Sequence, residues 1–146
     1  DVSNSELLLF KGFDVSNNVS IIAKIKEVRE KLVALQKKIG IEKNVVMDGR
    51  DIGTKVFPNA KLKIFLTASS EVRARRRYNE LKESGEAITF SEVLNHLTER
   101  DRTDIKREIN PLIQADDAIV IDNSNMSMYE QNLLIESLIK KVNDGS

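Results

Sequence analysis

Cysteine is missing from all 146 residues, so disulfides and thiolate metal sites are excluded and the redox compartment is left open. A single histidine, His96, cannot build a histidine cluster for zinc. Excess charge is also missing. Lys+Arg and Asp+Glu are 23 each, so binding of nucleic acid through bulk positive charge is disfavoured and any basic site has to be local. No apolar run approaches the roughly 20 residues of a membrane span. The opening DVSNSELLLF lacks the charged start and cleavage site of a signal peptide. The expectation is a soluble cytoplasmic protein with no membrane partner. The first residue is not Met, which suggests a natural start further upstream.

What is present is ordinary for a globular domain: 40% apolar and 32% charged residues, with enough length for one real core. Glu6 to Phe10 reads as a short strand and the KGFDVSNN that follows as a turn and loop. From Ile21 the spacing of Ile21, Ile22, Ile25, Val28, Leu32 and Leu35 predicts an amphipathic helix, with Gly40 placed to stop it. Asn44 to Met47 reads as a strand buried on both faces. Leu62 to Leu66 is the next strand. Ser69 or Ser70 can cap the helix EVRARRRYNELKES, and Gly85 can end it. Thr89 to Glu92 and Ser127 to Glu130 are capping boxes that open two further helices. Ala118 to Ile121 reads as another buried strand. Strand and helix alternate, which predicts an α/β domain with a parallel sheet. Ligands of such sheets sit beyond the carboxyl ends of the strands, where Asp48 to Gly53 falls.

Chemistry concentrates in three places. Asp48, at a strand end, can bind Mg²⁺ directly or through water; it can equally be a turn residue or helix cap. Arg50 offers a planar fork to a phosphate or carboxylate, or to a salt bridge, and Gly49 and Gly53 permit close backbone approach. Arg73, Arg75, Arg76 and Arg77 crowd one helix and suit a polyphosphate, or RNA as the rival target. The segment ERDRTDIKREINPL is too charged to be core. It reads as a mobile lid that carries arginines to phosphates, or as an exposed helix end. His96, beside Leu94 and Leu97, reads as structural. Arginines, a strand-end carboxylate and no thiol or histidine machinery fit phosphoryl transfer, which needs positioning and charge neutralisation above all.

The stretches DGRDIGTKVFPNAKLKIFLTAS, RARRRYNEL and ERDRTDIKREINPLIQADDAIVID closely resemble the bacterial cytidylate kinases, the short-chain CMP/dCMP kinases, from about Glu6 to the C-terminus. The resemblance implies a P-loop nucleoside-monophosphate-kinase fold and ATP-dependent phosphorylation of CMP or dCMP, with Mg²⁺. It implies a catalytic set of Asp48, Arg76, Arg77 and Arg100, with Asp48 supporting Mg²⁺ through water and Arg76 and Arg77 at the base of the lid near ATP. It implies Arg50 on the CMP phosphate and Asp51 accepting from the cytosine amino group. It also implies Ser20 and Arg29 on the cytosine edge, and Arg100, Asp104 and Arg107 on the ribose and phosphates. Residues 1–40 are then part of a CMP-binding subdomain and 41–146 the core kinase domain, with a lid near 85–110. A monomer is expected, with CMP or dCMP and ATP as partners and no nucleic acid.

The sequence departs from that pattern in two ways. It holds no G-x-x-x-x-G-K-[ST] motif, the loop that wraps ATP phosphates. The strand leading into that loop would stand at the centre of the sheet, so the expectation is a longer natural protein and no catalysis by these residues alone. FDVSNNVSIIAKI also looks shortened before Ser20. Two rivals stand beside this reading: a UMP-type nucleoside monophosphate kinase, and an RNA-binding or partner-docking module using the Arg73–Arg77 cluster.

Overall fold

The computed structural model describes residues 22, 25–41 and 45–145. The predicted strand at Glu6–Phe10, the loop after it, Ser20 and the predicted helix start at Ile21 lie outside the described residues. The elements run α1 (Lys26–Ile41), one π-helical turn (Ile52–Val56), β1 (Ile64–Thr67), α2 (Ser70–Glu83), α3 (Phe90–Lys106), β2 (Ile119–Asp122) and α4 (Met128–Asp144). β1 and β2 pair in parallel, with Ile64 opposite Ile119 and Thr67 opposite Asp122. Parallel neighbours need a long crossover, and α2 and α3 supply it. The α/β class read from the sequence is the class observed, and it is consistent with a nucleoside-monophosphate-kinase-like fold.

Helix ends follow their local chemistry. Ser69 is the cap of α2, its hydroxyl accepting from Val72 N at 3.2 Å. The end of α2 is a Schellman motif: Gly85 N donates to Lys82 O and Glu86 N to Leu81 O, each at 3.0 Å. Gly85 sits at φ 82°, a left-handed conformation that suits glycine. Both capping boxes form, Thr89 with Glu92 on α3 and Ser127 with Glu130 on α4.

The core lies between α2 and α3. Ala74, Leu81 and Val93 are buried, and Tyr78, Ile88, Phe90, Leu94 and Leu97 pack around them. The Tyr78 and Phe90 rings meet edge to face at 6.2 Å. The Arg75 guanidinium covers Phe90 at 4.1 Å, a cation–π contact.

Three expectations are corrected. Val45 to Met47 are irregular rather than a doubly buried strand, and Val46 is 96% exposed. A strand exists only against a partner backbone, and the one ladder among the described residues is β1–β2. β2 is not fully buried either, since only Ile121 of its four residues is. Gly40 does not stop α1, which runs on to Ile41. Gly40 instead makes room for the Phe57 ring, whose Cε1 and Cζ occupy the place a side chain would take.

Candidate functional site

The segment Asp48–Asp51 enters the site from the N-terminal side. Asp48 is exposed. A Cβ on Gly49 would meet Ile52 Cγ1 at 2.8 Å, so the backbone passes this point closely only as glycine. Asp51 then opens the π turn: its carbonyl accepts from Lys55 N at 2.8 Å and Val56 N at 3.3 Å. This fixes the Asp51 backbone and leaves its carboxylate, on a residue only 7% exposed, facing α1. There Arg29, the one buried residue of α1, meets it at 2.5 Å.

The last turns of α3 enter from the other side. Arg100, Asp104 and the capping residue Arg107 lie four and three residues apart, which puts them on one helix face. Asp104 is buried and receives three guanidiniums: Arg50 Nε at 2.9 Å, Arg107 Nη1 at 3.3 Å and Arg100 Nε at 3.9 Å. After the helix the chain folds back. Leu112 N donates to Asp104 O at 2.7 Å, and Arg107 Nε donates to the carbonyl of Asn110, which holds φ at 50°.

Arg29, Arg50, Asp51, Arg100, Asp104 and Arg107 are thus one linked cluster. Within this group of described residues four guanidiniums stand with two carboxylates, an excess of two positive charges, and Asp101 lies beside Arg100. Two buried donors in it, Arg100 Nε and Arg107 Nη2, find no hydrogen-bond acceptor among the described residues. The charged form of Arg100 is disfavoured by burial first and then by Arg50, with Asp104 and Asp101 acting the other way. Arg107 is disfavoured by burial and then by Arg29, with Asp104 and Asp51 opposing. A site of this kind is under-neutralised, and an added anion relieves it. Beside it a cleft of about 410 Å³ opens, bordered by Arg29 and Arg107 with Arg102, Thr103 and Lys106 on its wall.

The arginines of α2 do not form a common patch. Arg73 reaches Asp101 at 2.7 Å and Ala68 O at 3.0 Å. Arg75 lies on Phe90. Arg76 donates to Asn123 Oδ1 at 3.0 Å and Asn123 O at 2.8 Å, and the Asn123 amide donates in turn to Gln131. Arg77 pairs with Glu80 at 3.0 Å. Arg76 is thus directed to Asn123 and away from Asp104, whereas Arg77 lies near enough to Arg100 to disfavour its charged form. Asn123 and the Arg73–Asp101 pair escaped the sequence reading, because only burial and spatial proximity reveal them. His96 is held below its ordinary value by burial, then by Arg100 and Arg77, which favours its neutral form. Among the described residues, no three or more histidine, aspartate or glutamate side chains are grouped to hold a metal.

The comparisons agree in one direction. The family model for cytidylate kinase matches residues 3–144. A cytidylate kinase of Flavobacterium johnsoniae is 52% identical over 132 residues, covering 90% of this chain and 57% of that protein. One of Phocaeicola vulgatus is 54% identical over 121 residues, covering 83% and 53%. One of Caldicellulosiruptor saccharolyticus is 46% identical over 150 residues, covering 97% and 66%. The chain thus spans about half to two thirds of the length of these relatives.

Proposed function

Because this chain belongs to the cytidylate kinase family, we propose that it binds CMP or dCMP and presents the nucleotide's phosphate to the γ-phosphoryl group of ATP. The observation that carries the reading is the charge of the Asp104 cluster. Among the described residues, its excess of two positive charges and its two buried donors without an acceptor match a phosphate monoester, which carries close to two negative charges at neutral pH. Arg50, Arg100 and Arg107 take the phosphate, and Asp104 turns to the ribose. Asp51 accepts from the exocyclic amino group of cytosine and Arg29 donates to the ring beside it. Uracil offers a carbonyl where cytosine offers that donor, and a buried carboxylate facing a carbonyl leaves both unpaired, at a cost of about 1–3 kcal/mol.

Arg76 and Arg77 belong to the ATP side in this reading, and residues 85–110 act as the lid. Asp48 fits Mg²⁺ as a single exposed carboxylate, since that ion commonly keeps several waters and takes its other ligands from phosphate oxygens. The ion would neutralise charge on the ATP phosphates. The site is proposed to work in a soluble, monomeric, cytoplasmic protein.

Calorimetric titration with CMP, dCMP and UMP, followed by an ATP-dependent phosphorylation assay with each, tests the reading. CMP should bind at least about tenfold more tightly than UMP, and Asp51→Ala should remove the difference. Equal binding and turnover of CMP and UMP would move the assignment to a UMP-type kinase. Salt-sensitive RNA binding that survives loss of Arg50 and Asp51 would replace it with the RNA module.

A further inference from the structure

The C-terminal half of α3 carries the phosphate-facing groups, yet it has almost nothing apolar to hold it down. The α2–α3 core ends at Leu97. Beyond it, Ile105 is the one large apolar residue of the helix, and it is 58% exposed. The position of Arg100, Asp104 and Arg107 is therefore set by polar contacts. Arg50–Asp104 is one of them, but an incoming phosphate would claim Arg50. Arg73–Asp101, at 2.7 Å, uses no group that the ligand needs. The same Arg73 guanidinium donates through Nε to the Ala68 carbonyl, just past the end of β1. One planar fork thus ties the helix to the exit of the parallel sheet. A lysine, as a single point charge, would not reproduce both contacts.

We propose that Arg73 and Asp101 are positioning residues of the anion site: their ion pair pins α3 to the end of β1 and sets where Arg100, Asp104 and Arg107 stand. The proposal rests on reading the Asp104 cluster as a phosphate site. Asp101 follows Arg100 directly and sits three residues before Asp104, on the side of the helix that turns toward the cluster. Its negative charge also favours the charged form of Arg100. The pair keeps the arginines aimed whether or not the ligand is present, so it acts on affinity for the phosphate and not on recognition of the base.

The test is calorimetric titration of CMP, cytidine and inorganic phosphate into the wild type, Arg73→Gln, Asp101→Asn, the double variant, and the reversed pair Arg73→Asp with Asp101→Arg. Each single variant should weaken CMP and phosphate about tenfold and leave cytidine unchanged. The double variant should be no worse than either single one. The reversed pair restores the ion pair but not the donation to the Ala68 carbonyl, so it should regain part of the loss, as should Arg73→Lys. Additive losses with no recovery in the reversed pair would overturn the proposal and put Arg73 on the ligand itself. Parallel losses for CMP and cytidine would overturn it in favour of a general brace. If the wild type takes phosphate but not CMP, the cytidylate assignment falls and the phosphate series alone decides the pair's role. If it takes neither, both readings fall. Should Arg73→Gln not fold, Asp101→Asn and the reversed pair decide the outcome by the same criteria.

Discussion

Two parts of this molecule are held by different forces. α2 and α3 bury alanine, leucine and valine against each other. α1 buries an arginine, and leaves Leu32 and Leu35 half exposed. α4 buries no residue at all, and Val120 of β2 is 50% exposed. The helix pair is thus a small hydrophobic core in the ordinary sense. Around Asp51 and Asp104 the elements are joined by ion pairs, with the Phe57 ring against Gly40 as an apolar contact beside them. The difference separates a part held by apolar burial from a part held by charge. A dry apolar core has one arrangement, whereas a buried cluster with surplus positive charge is relieved by an added anion.

The largest expected effect sharpens this contrast. Asp51→Ala removes the carboxylate that meets Arg29, which is 9% exposed, and breaking a buried pair from one side costs about 3–5 kcal/mol. Urea unfolding should show a loss of about 3 kcal/mol, and a loss below about 1 kcal/mol would mean that charge does not hold α1 to the π turn. Second, one residue type can be compared in two settings. Val93→Ala removes side-chain volume from a residue 1% exposed and should cost about 2 kcal/mol. Val46→Ala, at a residue 96% exposed, should stay within about 0.5 kcal/mol. Equal midpoints in denaturant would break the comparison.

Third, Gly40→Ala should push the Phe57 ring away from α1 and cost about 1–2 kcal/mol through overpacking, seen as a lower thermal midpoint. Fourth, Thr89→Ala should remove the α3 cap at about 1 kcal/mol, and Thr89→Ser should restore most of it. The smallest effect is with pH. Glu92 is held below its ordinary 4.5 by the Thr89 side chain and then its backbone. Glu130 is held below the same value by the Ser127 backbone and then its side chain. A depressed carboxylate stabilises the fold above its unfolded value and loses that contribution as pH falls through its folded one. Helicity followed by circular dichroism should therefore decline modestly below pH 4.5. Glu92→Gln with Glu130→Gln should flatten that decline.

Much of this was legible before any coordinates. The caps at Ser69, Thr89 and Ser127 and the stop at Gly85 appear where their side chains and spacing put them. Arg29, Arg50, Asp51, Arg100, Asp104 and Arg107, grouped in advance only by resemblance, come together in one cluster. Ser20 lies outside the described residues. Gly40 was misread because a helix stop and a close approach both need glycine, and the second depends on Phe57, which local sequence does not bring near. Val45 to Met47 were misread because an apolar run is necessary for a buried strand but does not supply the neighbouring backbone.

The sequence by itself determined which residue types were available, where the capped helices begin, and the family. Each capping bond spans three residues, so its partners meet whenever the helix forms. Tertiary structure alone decided the pairings. Arg29 finds Asp51 across 22 residues, and Arg50 finds Asp104 across 54. Arg73 turns away from its neighbours on α2 to Asp101 on α3. Coulomb attraction depends on distance in space and on the local dielectric, and both come into being only when the elements pack.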